Sequence, residues 1–443
     1  MEQTAISDEP GHQEAEHAKE GADGPGWESP QTRKIRHQFK VLWARSEWAL
    51  FCDYINRLIQ VPELDHIYIV TDNRHQVEDT LAESGAKSAW ADSTGFSPGI
   101  TVLSDSDMCS KTPLPEAGRR GDNRETPSQA LDTPSKPGDF HMGQVLQQLI
   151  AQTGLTHLLV SGGTALPLIG PDQLRAYIKQ LFTMERGMIT NNPQSGDLVL
   201  FHPANAIQEI VLPRSDNELS NNLQYQARLP RVLMEPSTAT LFDIDTPIDL
   251  LLYYRLTGKP SWLMRDYAQL FERAEEKLEA LIPVISRDYR ELILAGRIAG
   301  NIIAYINEWL RVRLRVFAEE RGMKALGRIH RGEINAFLGL IMEDQSVDKL
   351  FRYFEAVGTA ILWDNRPAIY HMKKGLPGDQ ERDLDRFLMD LFYPEAVKDP
   401  VLQSIADRAY RSGLPLLMGG HSLVSGGIYA LVTLVYRQGG PEV

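Results

Sequence analysis

The chain has 443 residues, of which 42% are hydrophobic and 24% are charged, and its formal net charge is −13. This length exceeds what one ordinary core needs and suits two domains. Because an acidic chain lacks the basic face that general nucleic-acid binding requires, we expect no nucleic-acid partner.

Targeting signals and cysteine motifs are missing from the sequence. Residues 1–20 have neither a basic start nor an apolar core, so they do not resemble a signal peptide. No stretch approaches the roughly 20 apolar residues that span a bilayer. Cys52 and Cys109 form no CxxC pair, which argues against a zinc site or a disulfide framework. We expect a cytoplasmic protein without a membrane partner, and the sequence leaves its oligomeric state open.

Two stretches are rich in acidic residues, glycine, proline and serine and have little to bury. They are residues 1–34 and about 104–138. Chains of this composition cannot form a core. We therefore expect a disordered tail at 1–34 and a disordered surface insertion at 104–138.

The remainder of residues 35–256 alternates between strand and helix patterns. Phe39–Trp43 is a candidate first strand, Glu47–Ile59 has helical spacing of its apolar residues, and Ile67–Val70 is a short apolar run. Later helices are predicted at 142–153 and 171–182, and later strands at 156–160, 187–190, 198–201 and 231–234. Such alternation predicts a mainly parallel sheet with ligands at the carboxyl ends of its strands.

From residue 257 to the end the apolar period becomes helical. Helices are predicted at 267–281, 287–317, 331–342, 347–357, 383–391, 402–411 and 428–436. The long one, Arg287–Phe317, is expected to break near Gly296 or Gly300, since glycine weakens a helix interior. We therefore predict a mostly α-helical C-terminal domain over 257–443, of unassigned role.

The clearest chemical motif is a pair of carboxylates, Asp243 and Asp245, two residues apart on an extended segment. Side chains at that spacing point the same way and can share a divalent cation. Thr246, Pro247 and Asp249 follow as a cap, a first-turn proline and a favourable first-turn acid of a helix. A helix-capping cluster would explain Thr246, Pro247 and Asp249, but it would not explain Asp243 and Asp245.

The segment FDIDTPIDLL (242–251) resembles the D-[IV]-D-T-P-x-D-L motif of MobA-like NTP transferases. That group includes molybdenum-cofactor and phospholactate guanylyltransferases. Residues 161–174 resemble its strand-ending G-D-x-P-L segment, and Tyr68–Asp72 resembles its second strand. The resemblance covers about residues 35–256.

This resemblance implies a GT-A-like, mainly parallel three-layer α/β fold. It also implies a magnesium ion on Asp243 and Asp245, and nucleotidyl transfer from an NTP to a small phosphate- or hydroxyl-bearing acceptor. Gly162, Gly163 and Thr164 would then lie near the nucleotide.

The sequence departs from the family in two places. The family's glycine-rich loop after the first strand, whose amides hold the triphosphate, has no counterpart before Val70. The aspartate of G-D-x-P-L is also missing, and Gly163-Thr164-Ala165 stands there. Three functions stay open: a nucleotidyltransferase, a catalytically silent nucleotide- or sugar-sensing domain, and a GT-A glycosyltransferase.

A polar cluster lies between two predicted strands at residues 190–197. Its amide, hydroxyl and carboxylate groups could hydrogen-bond a sugar or a base of the nucleotide, and a plain polar turn is the alternative. The candidate nucleotide-binding residues here are Asn191, Asn192, Ser195 and Asp197.

The C-terminal domain offers arginines that can grip an anion and a glycine-rich loop before a helix, which can cradle one. We predict that these two segments meet in one concave, positively charged pocket. Its candidate residues are Arg315, Arg321, Arg328, Gly420, His421, Ser422 and Ser425. The alternatives are arginine–glutamate pairs on a solvated face and tight helix packing with Ser425 as a cap.

Overall fold

The computed structural model describes residues 29–83, 98–104, 108, 140–194, 196–287, 289–324, 326–329, 331–373 and 380–437. These residues form a mixed α/β structure with three separate sheets. None of the helices in these ranges is both long enough and apolar enough to cross a membrane.

The first element is a long helix, α1 (Pro30–Leu58). It begins at Ser29, whose hydroxyl accepts the Thr32 N–H, and Pro30 takes the first position, where its missing N–H costs nothing. The predicted strand Phe39–Trp43 is wrong, because Phe39 lies on the buried face of this helix. Residues 30–34 are helical too, so the predicted tail is wrong there, and residues 1–28 lie outside the described part.

A small parallel sheet follows, formed by β1 (His66–Thr71) and β2 (Gly99–Ser104), with α2 (Arg74–Glu83) after β1. The strand predicted at 67–70 is confirmed. Of the predicted insertion, Ser104 ends β2 and Met108 is buried with α3 (Met142–Thr153). The other insertion residues, 105–107 and 109–138, lie outside the described part of the chain.

The second sheet has the strand order β3-β5-β4-β6. Strand β5 is antiparallel to β3 and β4, and β4 is parallel to β6. The expected mainly parallel arrangement is therefore wrong for this sheet: the connection from β4 to β5 is too short for the crossover that parallel pairing needs. The elements of this region are β3 (Leu158–Ser161), α4 (Pro171–Phe182), β4 (Gly187–Thr190), β5 (Leu198–His202), α5 (Asp216–Tyr225) and β6 (Arg231–Leu233).

Three helices lead from the second sheet to the third. They are α6 (Thr238–Leu241), α7 (Pro247–Thr257) and α8 (Trp262–Ile285). Helix α7 begins as predicted: the Thr246 hydroxyl accepts the Asp249 N–H, the Asp249 carboxylate bonds back to Thr246, and Pro247 takes the first position.

The third sheet is fully parallel and has the order β10-β9-β7-β8. The long helix predicted at Arg287–Phe317 is wrong, because this segment contains two strands of the third sheet. In its place are β7 (Arg290–Gly296), α9 (Gly300–Trp309) and β8 (Val312–Ala318). For β7 the physical reason is that a strand buried on both faces shows no two-residue alternation, so its apolar run cannot be told from a helix face. Strand β8 does alternate apolar residues with Arg313 and Arg315, and this signal was overlooked.

The C-terminal region, predicted to be mostly α-helical, also contains the four strands of the third sheet. The remaining elements are α10 (Phe337–Asp344), α11 (Val347–Val357), β9 (Ala360–Asp364), α12 (Arg366–Lys373), α13 (Gln380–Asp390), α14 (Pro400–Arg411), β10 (Leu416–Gly419) and α15 (Gly426–Arg437). Helices therefore surround a parallel sheet here, and the carboxyl ends of four strands lie along one edge.

Helix α1 contributes to two of the apolar cores of the described residues. Phe39 and Leu42 pack in the core around the third sheet, whereas Tyr54 and Leu58 pack in the core of the first two sheets. The apolar residues of α7 belong to the core of the third sheet. The predicted domain boundary after residue 256 places this helix in the first domain, whereas its apolar residues pack in the core around the third sheet.

Candidate functional site

The predicted polar cluster after β4 folds into a turn that Asn191 holds together. The buried Asn191 amide oxygen accepts the N–H groups of Asp197 (3.0 Å) and Leu198 (3.3 Å), and its nitrogen donates to the Asp197 carboxylate (2.8 Å). The half-buried Asn192 similarly accepts the Gln194 N–H at 3.0 Å. Asn191 is thus a structural residue of this loop, and Ser195 lies outside the described residues.

This turn brings Asp197 close to the two motif carboxylates. Burial, together with Asp245 and Asp216, raises the pKa of Asp197 to about 7, although the Asn191 hydrogen bond lowers it. Burial and then the charges of Asp245 and Asp197 raise the pKa of Asp243 well above its ordinary value. Three carboxylates from two loops therefore repel one another, and a cation would relieve that repulsion.

The predicted glycine loop lies at the same sheet edge as these carboxylates. Ser161, the last residue of β3, pairs with Leu198 of the antiparallel β5. Continuing that register by one residue sets Gly162 opposite Asp197. Gly163 is exposed and Thr164 half-buried in the turn that follows.

A cavity of about 800 Å³ adjoins this glycine loop between β1 and β3. Apolar side chains form most of its wall, and Ser161, Gly162 and Gly163 lie at one end. The Tyr54 hydroxyl is hydrogen-bonded to the Ser161 hydroxyl at 2.7 Å beside them. Asp197, Asp243 and Asp245 do not line this cavity, and its mostly apolar wall can accommodate an apolar or aromatic group.

The loop after β10 holds the motif carboxylates in place. The Ser422 hydroxyl accepts the Asp243 N–H at 3.1 Å and donates to the Asp243 carbonyl at 2.6 Å. Gly420 packs so closely that a Cβ there would lie 3.1 Å from Thr246 Cγ2. Gly420 and Ser422, which were predicted for an anion pocket, thus contact segment 243–246 and contribute to its packing.

Replacing Ser422 with alanine removes both of these hydrogen bonds. We expect the free energy of unfolding to fall by about 1–2 kcal/mol, because two part-buried backbone groups lose their partner. Urea denaturation measures this, with Ser286→Ala as the matched control, since the Ser286 hydroxyl bonds only the Pro283 carbonyl at a helix end. Equal stability of the two variants would contradict the role given to Ser422.

The third sheet contributes charges that the sequence did not reveal. Arg297 follows β7 and makes three hydrogen bonds to the fully buried Asp364 at the end of β9: its N–H and Nε to Oδ2 (3.1 and 2.7 Å) and Nη2 to Oδ1 (3.0 Å). Burial acts to raise the pKa of Asp364, but Arg297 holds it below its ordinary value. Gly296, with φ +117°, allows this approach, because a Cβ there would lie 2.4 Å from Asp364 Cβ.

His421 connects the two sets of charges. Burial first, and then Arg297 and Arg321, lower its pKa to about 4, against the opposing influence of Asp364 and Asp245. The imidazole is therefore neutral at pH 7. The Asn365 N–H donates to the Gly419 carbonyl at 3.2 Å and the Glu319 N–H donates to the Gly296 carbonyl at 2.8 Å, so the loop with His421 and the segment leading to Arg321 both lie at the carboxyl end of the third sheet.

The other predicted members of the anion pocket lie elsewhere. Arg315 is exposed in the middle of the edge strand β8. Arg328 forms an ion pair with Glu320 at 2.5 Å and donates to the Glu333 carbonyl. The Ser425 hydroxyl donates to the His421 carbonyl at 2.9 Å. The prediction of one pocket containing all of them is wrong for these three residues, because local partners satisfy Arg328 and Ser425 and strand geometry turns Arg315 to solvent.

The donors at the acidic edge can be tested against the magnesium ion that the resemblance implies. In the described ranges, no three His, Cys, Asp or Glu side chains are placed to hold one metal ion together. Asp243 and Asp245 would supply at most two carboxylates. Magnesium is commonly bound by one or two carboxylates with water and substrate phosphate completing the shell. The pair therefore fits magnesium in company with a phosphate-bearing ligand.

Comparison of the chain with models of protein families, with curated proteins and with solved structures gives no match. Function must therefore be argued from the chemistry of this site, because a fold alone does not specify an activity. Two groups of side chains form the candidate site. We call Asp197, Asp243 and Asp245 the acidic edge, and we call Arg297, Arg321 and His421 the basic edge.

Proposed function

We propose that the chain is a nucleotidyltransferase that binds an NTP with magnesium at the acidic edge. The observation that carries this proposal is the convergence of Asp197, Asp243 and Asp245 beside the Gly162 loop, with raised pKa values for the first two. The resemblance of segment 242–251 to MobA-like NTP transferases, with their GT-A-like fold, supports it. A cytoplasmic location, where NTPs are abundant, belongs to the same proposal.

The reaction would be an in-line displacement at the α-phosphorus. An oxygen of the acceptor's phosphate or hydroxyl forms the new bond, the bond from the α-phosphorus to the bridging oxygen breaks, and pyrophosphate leaves with the electron pair. A hydroxyl acceptor would give its proton to water. Asp243 and Asp245 would hold magnesium, which neutralises charge on the phosphates. Ser422 and Asp249 keep these two carboxylates in position through the backbone N–H groups of Asp243 and Asp245.

Glycosyl transfer from a nucleotide sugar is the second candidate, and one observation favours it. Helix α1 precedes β1 where the resembling family has a strand and a glycine-rich loop for the triphosphate. A nucleotide sugar carries only a diphosphate, which a carboxylate-bound cation can hold without that loop. The acceptor hydroxyl would then displace a nucleoside diphosphate from the sugar carbon.

The test combines binding and product analysis with Asp243→Asn and Asp245→Asn variants. We expect magnesium-dependent thermal stabilisation by one class of nucleotide in the parent and its loss in both variants, since each substitution removes a charge from the cation site. Asp172→Asn is the matched control, because the Asp172 side chain is 98% exposed on α4. The control should keep the parent's magnesium dependence.

The product distinguishes the functions. Pyrophosphate release from an NTP supports nucleotidyl transfer, and nucleoside diphosphate release from a nucleotide sugar supports glycosyl transfer. Magnesium-dependent binding without either product would identify a silent sensor domain, for which the missing aspartate at Gly163-Thr164 is the sequence reason. Unchanged magnesium dependence in Asp245→Asn would reject the cation site itself.

A further inference from the structure

We propose that the basic edge is a second, separate anion site, in which Arg321 and Arg297 hold a phosphate group of the acceptor. Only the assignment of this phosphate to the acceptor rests on the proposed nucleotidyl transfer. The anion site itself is argued from the third sheet alone.

The strand order of the third sheet sets the position of the site. The chain runs from β7 to its neighbour β8 on one side and then returns past β7 to β9 on the other side. Such a reversal opens a crevice outside the carboxyl ends of the two central strands, and ligands of open α/β sheets bind there. Arg297 follows β7 at this crevice, and Asp364 ends β9 there.

Two of the arginines at this edge already have a buried carboxylate of their own. Arg297 pairs with Asp364 at 2.7 Å, and Arg366 pairs with Asp390 at 2.5 Å. Both carboxylates are fully buried. Each of these pairs is electrically neutral, but the Nη1 of Arg297 makes no hydrogen bond to a described residue and can donate to a ligand.

Arg321 is the exception. It is half-buried, and no hydrogen bond or ion pair joins it to any residue that the structure describes. Ala318 pairs with Gly296 in the sheet and the Glu319 N–H donates to the Gly296 carbonyl at 2.8 Å, so Arg321 follows β8 at the same end of the sheet at which Arg297 follows β7. Burial and the charge of Arg297 lower its pKa, so its environment opposes the charged form of the guanidinium. A guanidinium held beside another without a counter-charge is expected where an anion completes the site.

The nearby carboxylates are committed to other partners. Glu319 accepts the Leu338 N–H at 2.9 Å at the start of α10. Glu320 accepts the Asn335 N–H at 3.1 Å and forms its ion pair with Arg328. Neither acid forms an ion pair with Arg321 among the described residues, so the guanidinium is available to the anion of a ligand.

The first turn of α9 adds donors on the same side of the crevice. This helix starts directly after the β7 loop, and its first residues have no side-chain cap. Nothing lies within 4 Å of the position that a Cβ of Gly300 would take, so the helix end is open. Backbone N–H groups at a helix start favour phosphate, and two guanidinium groups beside them supply the charge-assisted hydrogen bonds that suit its oxygens.

The test measures binding of inorganic phosphate without magnesium by calorimetry, and of an NTP with magnesium by thermal shift. In Arg321→Met we expect phosphate affinity to fall about tenfold, the loss of one charge-assisted hydrogen bond. Arg315→Met is the matched control, because this exposed arginine on β8 lies outside the site. Asp245→Asn should keep its phosphate affinity, since it removes a negative charge and no donor.

The outcomes separate this proposal from the function proposed above. Undetectable phosphate binding by the parent, or equal affinity in Arg321→Met and the parent, would overturn the anion site. An equal loss of NTP binding and phosphate binding in Arg321→Met would show that the anion site is part of the nucleotide site and not a separate site. Phosphate binding that depends on Arg321, without binding of any nucleotide, would support the anion site and reject nucleotidyl transfer.

Discussion

Replacing Gly426 with alanine is expected to lower the free energy of unfolding by about 3 kcal/mol, the upper end of the cost of overpacking. A Cβ at this position would lie 2.2 Å from Phe242 Cα and 2.3 Å from the Leu241 carbonyl carbon and oxygen. These obstacles are backbone atoms, which cannot rotate away as a flexible side chain can. Either α15 must move from α6 and segment 242–246, or the chain must unfold locally.

Urea denaturation followed by circular dichroism measures this cost. Gly413→Ala is the matched control, because nothing lies within 4 Å of its Cβ position and the residue is exposed. The control should change stability by under about 0.5 kcal/mol, as substitutions at open surface positions do. A Gly426→Ala variant as stable as this control would mean that α15 does not pack on the segment that carries Asp243.

Replacing Arg366 with leucine is expected to lower the free energy of unfolding by about 3–5 kcal/mol at pH 7, the cost of breaking a buried ion pair. Arg366 and Asp390 are both buried, and their closest atoms lie 2.5 Å apart. Without Arg366, the Asp390 carboxylate would keep only the Asn365 amide and the charge of Arg386 nearby. Arg352→Leu is the control, because its pair with Asp348 is exposed and should contribute under about 1 kcal/mol.

The cost in Arg366→Leu should also depend on pH. Burial already raises the pKa of Asp390 despite the lowering influence of Arg366, so removing the arginine raises it further. A carboxyl group whose folded pKa lies above its unfolded value favours the folded state at low pH and loses that contribution as pH rises. The deficit should therefore shrink as pH falls from 7 towards about 4, the ordinary pKa of aspartate. A deficit that is constant with pH would show that Asp390 is not the uncompensated charge.

Sequence patterns were sufficient to predict those elements whose formation depends on residues within the element itself. Helices α3, α4 and α11 have the predicted bounds, because an amphipathic period and a starting proline or cap are visible in the sequence. The Thr246–Asp249 cap was predicted for the same reason. The carboxylate pair of the acidic edge was also visible, because its spacing alone implies a shared direction.

Contacts between distant segments could not be read in this way. The β7 run Leu292–Ala295 is buried on both faces, and its neighbours in the sheet come from residues 312–318 and 360–364. The pairing of Arg297 with Asp364 spans 67 residues. Gly296 after an apolar run was the available signal, and it was interpreted as a helix break. The strand at 198–201 was predicted, but its antiparallel direction was not, because an apolar run does not indicate the direction of the neighbouring strand.

The spacing of apolar residues along α1 determines which face of the helix packs in each of the two cores that it contacts. Its 29 residues extend about 43 Å at 1.5 Å per residue. Leu50 faces one core and Tyr54 the other, only one turn apart. A single residue inserted between them would turn one apolar face by about 100° relative to the other. An insertion or deletion within this turn would therefore disrupt the packing of α1 in one of the two cores. Substitutions of individual side chains on the helix would not have that effect.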